Sequence, residues 1–115
     1  MKLFRLFLIV CLIANIGYTA VTISNHGLGL LPVFFGDMAA MGWPGQFNLD
    51  FFTFLLLSGL WAAWRDRFRP AGLVLGVVAV FGGMLFLSVF LLVLTFRAGG
   101  DMRIVLLGRE RAAGA

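Results

Sequence analysis

"AGLVLGVVAVFGGMLFLSVFLLVLTF", residues 71 to 96, runs for 26 residues without a charged side chain. As a helix rising roughly 1.5 Å per residue it reaches about 39 Å, beyond the ~30 Å hydrocarbon core of a bilayer. Such a helix has to tilt, kink or project past the core, and the paired Gly82 and Gly83 supply a place for a bend.

The rest of the chain agrees with a lipid solvent. Of 115 residues, 62% are hydrophobic and 12% charged, too few polar side chains to cover a water-facing globule. Mean hydropathy is +1.04. Residues 3 to 23 carry only Arg5 as a charge and reach about 31 Å as a helix. Residues 47 to 64 hold Asp50 near their start and reach about 27 Å. A fourth apolar stretch, Gly27 to Trp43, is interrupted by Pro32 and Asp37, and its 17 residues stand at the lower limit for crossing. The chain therefore reads as an all-α integral membrane bundle in one domain, with three transmembrane helices at about 3–23, 47–64 and 71–96. The first loop carries an interfacial or re-entrant segment, and four spans are the alternative.

The N-terminal stretch "MKLFRLFLIVCLIANIGYTA" has the basic start and apolar run of a signal peptide. Tyr18 fits poorly three residues before a cleavage point, and further spans follow, so the helix is read as retained. Val10 is too bulky for a lipoprotein site ahead of Cys11. One cysteine excludes an internal disulfide, and one histidine, His26, leaves no metal-ligand cluster of ordinary spacing. No cofactor is implied.

The net charge of +4 is spread over span ends rather than gathered into one patch, which argues against a nucleic-acid partner. Lys2 and Arg5 open the chain, Arg65, Arg67 and Arg69 fill the second connection, and Arg97, Arg103, Arg109 and Arg111 follow the third span. Basic residues are retained on the cytoplasmic side. Three spans give a near tie, five against four, with the basic tail opposite the N-terminus. The first helix and its uncharged loop decide for a cytoplasmic N-terminus in a bacterial inner membrane.

In "WPGQFNLDFF", residues 43 to 52, Pro44 and Gly45 suggest a turn, Asn48 a helix cap and Asp50 a first-turn carboxylate favoured by the helix dipole. Trp43, and Trp61 with Trp64 at the other end, suit the two headgroup boundaries. A sharper reading joins Asp50 to Asn48, His26, Asp37 and Trp43 as candidate ligand or ion residues, because ionisable groups at membrane depth often serve a function. Asn15 inside the first span needs a partner and reads as a hydrogen bond between helices.

Gly72, Gly76, Ala79 and Gly83 recur at spacings of four, three and four, placing small residues on one helical face. Ser58 and Ala62 are the expected facing surface. Beyond "RAGGD", residues 101 to 111 place Ile104, Val105, Leu106 and Leu107 among arginines, a pattern suited to the interface with its apolar side in lipid.

The order of "WPGQFNLDFF", "WAAWRDRF", "VFGGMLFLSVFLLVL" and "GDMRIVLLGR" resembles a family of small membrane proteins built on a domain of unknown function, with bacterial and plant members. Phe52 stands where that family usually has tyrosine. The resemblance implies a three-span fold, points to Trp43, Asn48 and Asp50, and implies no activity.

Three function classes remain. The favoured one is a non-catalytic helix-packing accessory or interaction module, partnered by the bilayer and by another membrane protein or a second copy. The alternative is a binder or carrier of a small lipophilic ligand or ion. A membrane enzyme ranks last, because the chain lacks a paired catalytic set and a phosphate-binding loop.

Overall fold

The structure, a computed structural model, describes residues 1–114 and contains helices with no strand among them. In chain order they are α1 (Lys2–His26), α2 (Leu30–Ala40), α3 (Trp43–Arg65), α4 (Pro70–Arg97), α5 (Met102–Leu107) and α6 (Arg109–Gly114). The protein is a helical bundle in which α1, α3 and α4 are each long and apolar enough to cross a membrane, as a multi-pass membrane protein requires. With 11 residues, α2 reaches only about 16 Å and cannot cross. It is the non-spanning segment expected in the first loop.

The bend expected at the glycine pair is a reversal. Gly83 has φ 56° and ψ −141°, a conformation that L side chains rarely adopt and glycine enters without a Cβ penalty. On α3, Gly59 lies against Gly76, while the ring of Trp61 lies 5.9 Å from that of Phe90. Residues 76 and 90 would stand about 21 Å apart along a straight helix. Both meet α3 within two residues of each other, so the segment before Gly83 and the segment after it run side by side in opposite directions. Each arm is about 20 Å long. The tip, at Gly83, faces Phe51 and Leu55 of α3.

This reversal organises everything else. The first arm is antiparallel to α3, with Gly72 beside Ala63 and Asp66, and Gly76 beside Gly59. The second arm is antiparallel to α1: Arg5 meets Thr95, and Met1 lies near Gly100. The 66–69 loop, the end of α4, Met1 and α6 therefore lie at one end of the bundle. Three straight spans would have put the tail opposite the N-terminus; the hairpin brings it back.

Small residues make the close approaches. A Cβ on Gly59 would sit 2.7 Å from the Gly76 carbonyl oxygen, and one on Gly76 would sit 2.8 Å from that of Gly59. Ala62, Ala63 and Ala79 are buried beside them. The surface that α4 meets is thus Gly59 with Ala63, a pair four apart, together with the expected Ala62. Ser58 is half-buried, and its hydroxyl donates to the Leu55 carbonyl of its own helix. Asn15 likewise donates to its own Cys11 carbonyl at 2.8 Å, so it does not join α1 to a second helix.

At the basic end, Leu94 and Ala98 of α4 and the fully buried Val105 of α5 form a core cluster with Trp61, Phe90 and Ile104 against it. The tail was expected to turn its apolar side to lipid. Val105 instead turns inward and α5 closes the end of the bundle, because the reversal of α4 leaves that end as apolar surface needing cover. Ser88, on the returning arm, is fully buried with its hydroxyl unpaired among the described residues.

Two substitutions test this packing by thermal melting in detergent. Gly76→Ala should lower stability on the order of 3 kcal/mol, because the added methyl meets backbone that cannot move aside. Ser88→Ala should raise it by about 1 kcal/mol by removing an unsatisfied buried hydroxyl. A neutral Gly76→Ala would contradict the glycine contact.

Candidate functional site

Polar side chains gather at two places, at opposite ends of α3. The first holds the residues singled out from sequence. Pro44 does not end a turn there. Pro is tolerated in the first turn of a helix, whose amides lack partners anyway, and α3 starts at Trp43 with Gly42 as its N-cap. Asn48 consequently lies inside the helix, and its amide donates 3.1 Å to the Phe34 carbonyl of α2 rather than capping α3. Asp50 lies about two turns in, beyond the reach of the helix-start dipole.

The contact between α2 and α3 is close. A Cβ on Gly45 would collide with the Asp37 carbonyl, and Phe34 packs 6.3 Å from Phe52. Here Phe52 serves as a packing ring. Trp43 is exposed and lies beside Phe47. Asp50 and His26 are exposed and Asp37 is half-buried. No hydrogen bond or ion pair joins the side chains of His26, Asp37 and Asp50 among the described residues, and no group of three or more His, Cys, Asp or Glu is placed to hold a metal ion. Of the candidate ligand residues, Asn48 is tied into the bundle and the others are not gathered into a site.

The second place is the basic end. Helix C-termini leave carbonyl oxygens without intrahelical partners, and arginine side chains supply donors for them here. Arg65 of α3 donates to the Val105 carbonyl at 2.6 Å and the Ile104 carbonyl at 3.1 Å. Trp61 donates from its indole nitrogen to Leu106 at 3.1 Å. Arg103 donates to Ala112 at 2.7 Å, Arg109 to Arg97, and Arg111 to Trp64 while lying 4.0 Å over the Trp64 ring. Arg5 joins α1 to α4 by donating at 3.1 Å to both the hydroxyl and the carbonyl of Thr95, and it covers the Phe96 ring.

Bonds to carbonyls orient these guanidinium groups without neutralising them. Carboxylates are few. Glu110 accepts from Arg67 and, at 3.0 Å, from Arg69, while Asp66 lies 4.0 Å from Arg69. Arg97 has neither an acidic nor a hydrogen-bonding partner for its guanidinium among the described residues. Sequence reading located these arginines but treated them as flanks of separate spans. Only the reversal of α4 brings residues 65–69 and 97–111 together.

The chain matches no protein-family model, no curated protein and no solved structure.

Hydrogen bonding from Arg69, aided by the charges of Arg67 and Arg69, holds the Glu110 carboxyl below the usual glutamate range. A depressed folded-state pKa stabilises at pH values above the unfolded one, and that contribution disappears as pH falls through the folded value. A spin label at Ala113, in a chain with Cys11→Ala, should therefore stay ordered at neutral pH and gain mobility as pH falls below about 4.3. Glu110→Gln should be mobile at pH 7 and flat with pH. A label whose mobility ignores both changes would show that these ion pairs do not hold α6.

Proposed function

We propose that this chain is a non-catalytic integral membrane module that works by packing against a larger assembly in the bacterial cytoplasmic membrane, with its basic end facing the cytoplasm. The observation that carries the reading is the bare outer part of the bundle. Every residue from Ile16 to Val33 is exposed. The tip of the α4 hairpin stops level with Phe51 and Leu55, and the last turns of α1 stay exposed among the described residues. Asp50 of α3 is exposed as well, with no side-chain partner among the described residues, and an ionisable group in a spanning helix calls for a donor or a cation from elsewhere.

The charge distribution supports the orientation. Every lysine and arginine in the chain lies at the end where Met1, the 66–69 loop, α5 and α6 meet. Cytoplasmic retention of basic residues then gives one answer where straight spans gave a near tie. In this topology α1 and α3 cross, while α4 enters from the cytoplasmic side and returns to it. A two-armed entry of about 20 Å stops short of the ~30 Å core, leaving its outer part to a partner.

Native mass spectrometry of the protein gently extracted from its own membrane tests the function. The expected result is a defined additional mass from a second polypeptide, reduced by Asp50→Leu or by Ile16→Trp on the bare part of α1. A monomer carrying a small lipophilic molecule or an ion that Asp50→Asn abolishes would replace this reading with the ligand-carrier one.

A further inference from the structure

The strongest unassigned feature is the cavity of about 520 Å³ at the basic end. Its volume falls in the range of about 300 to 1,000 Å³ common for small-molecule sites. Arg65, Arg67, Arg69, Arg97, Arg109 and Arg111 line it, opposed by two carboxylates, Asp66 and Glu110. Six cations against two anions leave the lining with a net positive charge. Leu94, Ala98, Ile104 and Leu107 make the apolar part of the wall. Trp64, stacked under Arg111, belongs to the same end of α3 and suits the headgroup boundary.

We propose that this cavity binds a phosphate-bearing anion, with the headgroup of an anionic phospholipid as its source. Several cations spaced around one volume repel one another, and an entering phosphate relieves that repulsion. Guanidinium groups present donors in a planar fork that matches two phosphate oxygens. Arg65, Arg109 and Arg111 are already oriented by carbonyls, so little ordering of these three is left to oppose binding, while Glu110 competes with the phosphate for Arg67 and Arg69. Arg97 is the cation that has no competing partner among the described residues. The adjoining carbon wall suits the glycerol of a lipid better than it suits a free, fully hydrated ion. Basic pockets between membrane helices on the cytoplasmic side bind anionic headgroups by this same physics. The proposal rests on that reading for the basic end's place at the cytoplasmic face and is independent of the packing surface at the opposite end.

Two variants of opposite sign separate ligand binding from helix capping. The side chain of Arg97 holds no other element in place, so Arg97→Gln should fold and should weaken binding about tenfold, a loss equivalent to roughly one charge-assisted hydrogen bond. Glu110→Gln removes an anion and frees Arg67 and Arg69, so it should strengthen binding several-fold while loosening α6. A role confined to capping would give neither change.

The test uses the full chain in mild detergent, with bound mass and melting midpoint read after titration with dioleoylphosphatidylglycerol, dioleoylphosphatidylcholine or sn-glycerol 3-phosphate. The expected result is preferential retention of phosphatidylglycerol over phosphatidylcholine, weaker in Arg97→Gln and stronger in Glu110→Gln. Failure of glycerol 3-phosphate to displace the lipid at matched concentration confirms the lipid as source. Displacement by glycerol 3-phosphate, with the same response to both variants, confirms the phosphate site and overturns the lipid source. Equal retention of the two lipids, or retention of phosphatidylglycerol that neither variant changes, overturns the proposal.

Discussion

The backbone of one residue, Gly83, sets the architecture. At φ 56° and ψ −141° it turns a helix long enough to cross the bilayer into two arms lying against each other's neighbours. A side chain there would be strained by the backbone conformation and would also press on Phe51 and Leu55, whose nearest atoms lie 3.3 and 3.5 Å from where its Cβ would stand. Once the turn is made, the rest follows by adjacency. The first arm finds Gly59 and Ala63 of α3, the second finds Arg5 and α1, and α5 closes the end that the two arms leave apolar.

The same turn changes what the arginines do. Along the sequence they are flanking charges of three separate segments, each an ordinary membrane anchor. Folded back, the segments place cations from α3, the 66–69 loop, α4 and α6 around one volume. Three of the six, Arg65, Arg109 and Arg111, also bond the carbonyls of helix ends. Structural and ligand-binding roles are compatible because a guanidinium has five donors, and a carbonyl uses one or two of them without cancelling the charge. Polar groups at the other end of the bundle have no such organisation. There, Asn48 serves the contact between α2 and α3, while the Asp50 carboxylate has no partner among the described residues.

Hydropathy and length made the three long helices legible, because both measure how much carbon must avoid water. They did not reveal direction. Gly82 and Gly83 mark a bend on inspection, yet nothing in composition separates a slight kink from a full reversal, since the difference lies in a single φ/ψ pair and in what the arms then touch. The near tie in flanking charge was the available warning: it came from counting the tail apart from the N-terminus, whereas the fold brings both to one end of the bundle. The glycine face of α4 was readable from its spacing; of the expected facing residues, Ala62 is buried beside the contact, while Ser58 stands one residue from Gly59, which makes it. At "WPGQFNLD" the Pro-Gly pair was taken for a turn, whereas Pro44 in the first helical turn only forgoes an amide that has no acceptor. That displaced the helix start by several residues and gave Asn48 and Asp50 roles they do not have. The tail's inward Val105 could not be read at all, because the surface it covers exists only after α4 folds back.

The most direct test of the central claim is the sidedness of single cysteines placed in a Cys11→Ala background and labelled with a membrane-impermeant maleimide, in intact cells and in inverted vesicles. The positions are Lys2→Cys, Met41→Cys, Phe68→Cys and Met102→Cys, of which Met41 marks the far end of the bundle at 89% exposure. A reversed α4 places residues 2, 68 and 102 on one side and 41 alone on the other. Labelling of residue 102 together with 41, and opposite to 68, would show that α4 crosses straight through, and would contradict the account.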